Sequence, residues 1–275
     1  MEPKAESTEK FKGTEPMENT KQHEGRIIQS VERAIQIVLL FLHEGGELGI
    51  KDFAERMNLP KSTIHSLVNT LAAYKFLEQD PENSKYHLGS TLFRLGLQYT
   101  NDIGLISSID AYLERLSYKF NVHVNICMLM GSQVVVSYNK TPDNPLVKYP
   151  ETGVLVPIHS TANGKILLAF ADEETREQIL AEYIFDSHTP HTITSREKFL
   201  GELEKVKEEG IAFSIEESVE GISAMAAPVY NRHGEVVASF GLSAENEFFS
   251  DHRNEILLEM KNTVKLISKQ MGHRI

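Results

Sequence analysis

Hydrophobic positions recur at helical spacing near the start of the chain. One apolar face repeats every three or four positions over residues 30–42, formed by Val31, Ala34, Ile35, Val38, Leu39 and Leu42. Ser30 stands where an N-cap is expected, and Gly45-Gly46 follows where the helix should end. The pattern therefore predicts a first helix over residues 30–42.

Two shorter helices and a hairpin are predicted next. The helices cover residues 50–57 and 61–74, and Asn58-Leu59-Pro60 makes the tight turn between them. Two short strands then lie on either side of Asp80-Pro81-Glu82-Asn83. Three helices followed by a hairpin are typical of a winged helix-turn-helix, which we assign to residues 25–89.

The predicted third helix, with Lys61 or Ser62 near its cap, has two chemically different faces. Its apolar positions should pack inward: Ile64, Leu67, Val68 and Leu71. The other face carries short hydrogen-bonding groups and one cation, suited to phosphates and base edges: Lys61, Ser62, Thr63, His65, Ser66 and Asn69. Small three-helix units with merely solvated polar faces share this pattern, so the pattern alone leaves DNA binding open.

The remainder of the chain predicts a second, larger domain. A helix from Ser90 makes residues 90–103 a linker between the domains. Beyond it, over residues 104–275, strands and helices are mixed: strands over 122–130, 133–138, 225–230 and 236–243, and helices over 108–120, 162–171, 195–209 and 251–271. Hairpins flanking helical crossings indicate an α/β domain with an antiparallel component.

Composition narrows the class of protein. Residues 1–24 are polar and charged with almost no apolar side chains, so we expect a disordered tail. No apolar run approaches the length of a membrane span, and the single Cys127 excludes an internal disulfide, which favours a cytoplasmic location. The net charge is −11, but residues 60–77 contain Lys61 and Lys75 and no acid. A small cationic surface on an acidic chain can still dock on DNA.

Three separated motifs resemble those of the isocitrate lyase regulator (IclR) family. They are Pro60-Lys61-Ser62-Thr63-Ile64-His65, the block from Pro157 to Lys165, and the stretch from Gly210 to Ser243 with Ala226-Ala227-Pro228-Val229. The similarity covers residues from about 26 to 272. It implies a winged helix-turn-helix joined to a GAF-like α/β effector-binding domain. It also implies dimers or tetramers that bind palindromic operators and respond to small metabolites.

The resemblance places the effector-lining positions at Ala162, Asn163, Ser214, Ala224, Gly241 and Ser243. Members with small keto-acid ligands have an acid at the position of Ser214, a thiol at Ala224 and a serine at Gly241. These departures predict a larger, less polar pocket for an organic acid bigger than pyruvate. On the recognition helix, Ser66 replaces a usual arginine, which predicts a different operator sequence.

Competing chemistry is weakly supported. Asp186, His188 and His191 share a loop, but their spacing is not that of a known metal site. Glu216-Glu217 should point to opposite faces of a strand and so cannot form an acid/base pair. No nucleophile is patterned beside His159, which is therefore expected to be a buried, hydrogen-bonded residue.

These inferences predict a transcriptional regulator, expected to be a repressor, rather than an enzyme. The expected partners are double-stranded DNA with a pseudo-palindromic operator, a small organic-acid effector and further copies of the chain. Neither a cofactor nor a metal is expected, and no membrane. The alternative is a GAF-like sensor that acts through a protein partner instead of DNA.

Overall fold

The computed structural model describes residues 27–44, 46–103, 109–142 and 149–274. The predicted tail over residues 1–24 lies outside the described residues. The chain forms two compact units, and the break between them falls between Tyr99 and Thr100.

The first unit contains the predicted three helices, the hairpin and most of the linker helix. Its elements are α1 (Gln29–Glu44), α2 (Ile50–Met57), α3 (Lys61–Ala73), β1 (Leu77–Gln79) and β2 (Tyr86–Leu88), and the linker helix α4 (Ser90–Ile103) crosses the break into the second unit. The two strands pair antiparallel as a hairpin. Asn58 adopts the left-handed conformation that ends α2 and starts the turn to α3. The winged helix-turn-helix is thus confirmed.

The core of this unit corrects the prediction for α1. Its buried apolar residues are Ile37, Phe41, Leu48, Phe53, Ile64, Val68, Leu77 and Tyr86. In the predicted face of α1, by contrast, Val31 and Ile35 are about half exposed and Leu42 is 68% exposed. Apolar residues lie around most of the circumference of α1, so more than one face fits the helical spacing. Spacing alone therefore cannot identify the buried face.

The predicted cap of α1 is wrong, and the cap of α3 lies next to the residues predicted near it. Val31 and Glu32 donate to the carbonyl of Ile28, so Ser30 lies inside α1. The cap of α3 is Pro60, whose carbonyl accepts from Thr63 and Ile64. Proline suits this position because its fixed φ presets the chain and the missing N–H would have no helical partner.

The second unit is an α/β domain. Its helices are α5 (Asp110–Phe120), α6 (Ala162–Ala169), α7 (Glu173–Ala181), α8 (Arg196–Glu209) and α9 (Asn246–Gln270). Its strands are β3 (His123–Met130), β4 (Gln133–Lys140), β5 (Leu155–Val156), β6 (Ala212–Ile215), β7 (Ile222–Tyr230) and β8 (Val236–Glu245). Helix α9 begins at Asn246 rather than at the predicted residue 251, and the Asn246 side chain accepts from Ser223 and donates to Glu216.

The six strands form one antiparallel sheet in the order β5-β4-β3-β8-β7-β6. One face packs against α5 and α9 through residues such as Ile126, Met225 and Phe240. The other face packs against α6, α7 and α8 through Cys127 and Ala226. Period-two alternation therefore sorts each strand's side chains between two cores. This three-layer arrangement agrees with the expected GAF-like α/β domain.

Candidate DNA interface and effector site

The polar face of α3 lies open to solvent. Lys61, Ser62, His65, Ser66 and Asn69 are exposed, and Thr63 is half-buried. The opposite face is held in the core by Ile64 and Val68. The six predicted DNA-contacting residues therefore share one accessible surface.

Hydrogen bonds along α3 orient part of this surface. Asn69 Nδ2 lies 3.0 Å from His65 Nδ1. With the amide nitrogen as donor, His65 carries its proton on Nε2, and Asn69 keeps its carbonyl oxygen and a second N–H. The Ser66 hydroxyl donates to the Ser62 carbonyl at 3.1 Å. The His65–Asn69 pair thus presents donors and an acceptor, as base edges require.

The hairpin beside α3 is tied to the rest of the unit. Asn83 Nδ2 donates to Glu47 Oε2 at 2.7 Å, and the Ser90 hydroxyl donates to Glu78 Oε1 at 2.8 Å. The Ser90 bonds hold the pKa of the Glu78 carboxyl below its usual range. The hairpin turn exposes Glu82 and Lys85, so its charge is mixed rather than cationic.

Strand register brings three predicted effector positions into one row. Ser214 on β6 pairs with Ala224 on β7, and Ala224 pairs with Ser243 on β8. Ser243 in turn pairs with His123 on β3. These side chains share the sheet face that packs against α6. The sequence prediction missed His123, although polar His123 and Asn125 alternate with apolar residues in a buried strand and so mark that face.

The other three predicted positions surround the start of α6. Thr161 Oγ1 caps the helix by accepting from the Gly164 N–H at 3.1 Å. Gly164 permits a close approach, because a Cβ there would lie 2.3 Å from the Ile158 carbonyl oxygen. Ala162 and Asn163 are buried in the same turn.

The structure corrects the expectation that Gly241 leaves room for a ligand. A Cβ on Gly241 would lie 2.4 Å from both Asn125 Oδ1 and Asn163 Nδ2. Asn163 donates to Asn125 Oδ1 at 2.9 Å and accepts from the Ser239 hydroxyl at 2.8 Å. Glycine is therefore needed here because asparagine amides occupy the space above it, and Asn163 is engaged within the protein.

Helix α6 is joined to the end of β6 by buried polar contacts. Lys165 Nζ lies 2.6 Å from Glu217 Oε1 and donates to the Phe213 carbonyl. Ser214 Oγ donates to the Ser160 carbonyl at 2.7 Å. Burial raises the pKa of the Glu217 carboxyl, and the neighbouring Lys165 ammonium opposes that rise.

The geometry also bears on Glu216, Glu217 and His159. Both glutamates lie after β6, and Glu216 has a positive φ of 56°, so the predicted position of this pair on a strand was wrong. Their side chains still diverge, because Glu216 accepts from Gly221 whereas Glu217 meets Lys165.

His159 is buried and bonded to the Tyr183 hydroxyl and the Asp186 carbonyl, as predicted. Burial lowers its pKa.

The described ranges contain neither a metal-binding cluster nor a membrane-spanning helix. No group of three His, Cys, Asp or Glu within residues 27–44, 46–103, 109–142 and 149–274 is arranged to hold a metal ion. None of the helices in those ranges combines the length and apolar character needed to cross a bilayer.

Comparison with known proteins covers both units. A family model described as the bacterial transcriptional regulator IclR C-terminal matches residues 97–269, and the IclR helix-turn-helix domain matches residues 30–81. The HTH-type transcriptional regulator XynR of Escherichia coli is 36% identical over 217 residues, which cover 79% of this chain and 86% of XynR. The Escherichia coli HTH-type transcriptional regulator KdgR is 32% identical over 237 residues, covering 86% of this chain and 90% of KdgR.

A solved structure gives the likeness in three dimensions. It is an IclR homolog from Microbacterium hydrocarbonoxydans complexed with 4-hydroxybenzoate. The TM-score is 0.80 at 19% sequence identity, and the match covers 88% of this chain and 98% of that chain. At this identity the likeness concerns the fold.

Proposed function

Because this chain belongs to the IclR family of bacterial transcriptional regulators, we propose that α3 reads a pseudo-palindromic operator and that a small organic acid, held between the sheet and α6, modulates this binding. The observation that carries the proposal is the exposed face of α3. On an otherwise acidic chain it offers hydrogen-bonding groups and one cation without a carboxylate.

The residues of that face divide into two roles. Lys61, with Ser62 and Thr63 in the same first turn, is suited to phosphate contacts that position the helix. His65, Ser66 and Asn69 lie further along the groove-facing side and are suited to base edges. The exposed carboxylate of Glu82 makes the tip of the hairpin a poor phosphate ligand, so we place the hairpin's phosphate contact at Lys85.

Self-association follows from the exposed apolar surface of α1 and α4. Ile28, Val31, Ile35 and Leu42 are each at least half exposed along α1 and just before it, and Phe93 is 69% exposed on α4. Such a stripe is costly in water and is usually covered by another chain. A winged helix contacts only a short half-site, so a homodimer or tetramer would also supply the second half-site contact.

The effector site is proposed at the row formed by Ser214, Ala224 and Ser243, beside the start of α6 at Ala162 and Asn163. Ala224 is only partly buried, whereas the space above Gly241 is filled by asparagine side chains. We therefore propose that the effector is an organic acid larger than pyruvate and that its body lies over Ala224. The 4-hydroxybenzoate held by the Microbacterium homolog makes an aromatic acid one candidate.

Regulation requires that the acid favour one arrangement of the chain over another. We assign residues 25–89 to DNA binding, 90–103 to the link and 104–275 to effector binding. The link, α4, would then transmit the change. We expect the chain to act in the cytoplasm as a repressor whose DNA binding is relieved by the acid. We expect no catalytic role, since the ring of His159 is already held by Tyr183 and Asp186.

The test is a footprint of the purified chain on the DNA upstream of its own gene. We expect two protected half-sites about one helical turn apart, or a multiple of it. One acid among pyruvate, gluconate, glucuronate and 4-hydroxybenzoate should weaken the protection. Absence of protection at any salt concentration would contradict the DNA role and favour a protein partner instead.

A matched pair of variants tests the location of the effector. Ala224→Phe should fill the space over the row and abolish the response to the acid. Ala181→Phe adds the same ring at an exposed position of α7 and should leave the response intact. Equal responses from both variants would place the effector elsewhere.

A further inference from the structure

His123 extends the effector row by one strand. It is 1% exposed and pairs with Ser243, so its side chain lies on the same face as Ser243, Ala224 and Ser214. Its position was absent from the residues that the family resemblance implied. The row thus ends in an imidazole, which can donate and accept hydrogen bonds.

Two contacts hold the imidazole ring. Its Nδ1 lies 3.2 Å from the Ser243 hydroxyl oxygen. The ring of Tyr149 stacks on it with centroids 4.2 Å apart and an angle of 2° between the planes. One edge and one face of the ring are therefore fixed before any ligand arrives.

The polar groups around the row are otherwise engaged within the protein. Ser214 donates to the Ser160 carbonyl, and Asn163 is bonded to Asn125 and Ser239. His123 Nε2, by contrast, is buried without a hydrogen-bond partner among the described residues. Two other such atoms, Arg176 Nε and Glu217 Oε2, lie outside the row. An unpaired buried polar atom is costly unless something else completes its bonding.

The contact with Ser243 bears on which ring nitrogen of His123 carries the proton. We assign the Ser243 hydroxyl as the donor of this contact, because His123 Nδ1 is the acceptor that the described residues place within its reach. Nδ1 is then unprotonated, and the neutral ring has its proton on Nε2. The ring therefore offers a donor at Nε2, and the matching ligand group is an acceptor.

We propose that His123 Nε2 is the polar anchor of the effector site and donates to a carboxylate oxygen of the organic acid, with Tyr149 as a stacking wall. This inference rests on the proposed effector function and adds the recognition group to it. The acid's carboxylate lies at the β3 end of the row. Its body extends over Ala224, where the sheet carries only a methyl group.

The first test observes the imidazole directly in the full chain. The protein is labelled with ¹⁵N at its 11 histidines and titrated with gluconate, glucuronate and 4-hydroxybenzoate. The His123 resonances are assigned by their loss in His123→Gln. We expect the Nε2 resonance of His123 to shift with saturation by the acid that binds, and the exposed His233 to be unaffected. Binding without a change at His123 would overturn the proposal.

The second test measures affinity by calorimetry. His123→Leu should weaken binding of the acid roughly tenfold to a hundredfold, which is the usual effect of losing a hydrogen bond to a charged group. His123→Gln keeps an N–H donor and should recover part of the loss, whereas His233→Leu should bind as the wild type does. Equal affinity in wild type and His123→Leu would overturn the proposal.

The two hypotheses fail in different ways. If the chain protects its operator but none of the acids binds, the acid effector and its His123 anchor are both wrong, and the DNA-binding role stands. If an acid binds and changes operator protection in both wild type and His123→Leu, only the role of His123 is wrong.

Discussion

Lys165 Nζ and Glu217 Oε1 lie 2.6 Å apart in the interior of the second unit, with 0% and 11% of their side chains exposed. Glu202 approaches the same ammonium at 3.5 Å. The pair joins α6, which carries Ala162 and Asn163, to the segment that follows Ser214 on β6. It thus fixes the distance between two of the elements that bear the proposed effector site.

Removing one partner of this pair should be strongly destabilising. We expect Lys165→Met to lower the free energy of unfolding by about 3–5 kcal/mol, because Glu217 would remain buried without its counter-ion. The double variant Lys165→Met/Glu217→Gln should lose less than the sum of the single variants. Urea unfolding of the four proteins at pH 7 measures this coupling, and simple additivity would contradict it.

The same pair predicts a pH dependence. Burial already raises the pKa of Glu217 above its ordinary value, and loss of Lys165 should raise it further. A carboxyl with a raised pKa in the folded state binds protons more readily than it does in the unfolded chain. The stability deficit of Lys165→Met relative to wild type should therefore shrink as the pH is lowered from 7 to 5. A deficit that is constant over this range would show that Glu217 stays ionised.

Gly241 should tolerate no side chain. A methyl group at this position would lie 2.4 Å from the Asn125 and Asn163 side chains, so Gly241→Ala must displace the amide pair. We expect a loss of about 1–3 kcal/mol, typical of overpacking. Gly201→Ala is the matched control, since Gly201 lies inside α8 with open space around it, and alanine there should stabilise by up to about 1 kcal/mol. Thermal unfolding of both variants tests the contrast.

Burial of His123 should make stability depend on pH. Burial lowers its pKa to about 4, against 6.5 for the free side chain. Between these values the unfolded chain binds the proton and the folded chain does not, so stability falls as pH drops from 6.5 towards 4. The slope due to His123 should be at most about 1.4 kcal/mol per pH unit.

Variants separate this contribution from that of other buried groups. The pKa of His159 is also lowered by burial and contributes in the same direction. Chemical unfolding of wild type and His123→Gln at several pH values isolates the His123 part as a difference in slope. His233→Leu, at an exposed site, should keep the wild-type slope. Parallel curves for wild type and His123→Gln would show that burial does not lower the pKa of His123.

Substitutions on α3 should affect DNA binding in two ways. Lys61→Ala should weaken binding to all sequences. It should also reduce the slope of the logarithm of the binding constant against the logarithm of the salt concentration by about one. Asn69→Ala should instead change the base preference at one position, by about 1–3 kcal/mol. Lys205→Ala removes an exposed cation from α8 and serves as the control. Titrations of operator DNA with each protein at several salt concentrations measure these effects. Wild-type binding by both α3 variants would refute the assignment of α3 to DNA binding.

The exposed face of α1 should mediate self-association. Ile35 is 54% exposed, and Ile35→Glu should place a charge in the proposed interface and shift the equilibrium towards the 31.0 kDa subunit. Ile184→Glu adds the same charge at a residue that is 74% exposed in the second unit and should not change the assembly state. Light scattering at micromolar concentration compares them. A wild-type chain that is monomeric with and without DNA would contradict the prediction.

Local pattern was sufficient for the elements of the first unit. The spacing of Ile64, Leu67, Val68 and Leu71 predicted both the presence and the inner face of α3, because a helix of mixed composition has a single apolar side. Alternation and turn residues likewise predicted the hairpin from β1 to β2. For α1 the same reasoning failed, since apolar residues cover several sides of that helix and only packing selects Ile37 and Phe41.

The order of the elements, the polar face of α3 and the residue types available for the proposed effector site follow from the amino-acid sequence alone, because they depend on spacing along one chain. Which of those residues meet depends on the folded chain. Strand register placed Ser214, Ala224 and Ser243 of three consecutive strands in one row with His123, which comes from a strand far earlier in the chain. Close packing filled the space above Gly241 with asparagine amides. Neither relationship has a local signature, since register and packing depend on all the neighbouring strands and helices at once.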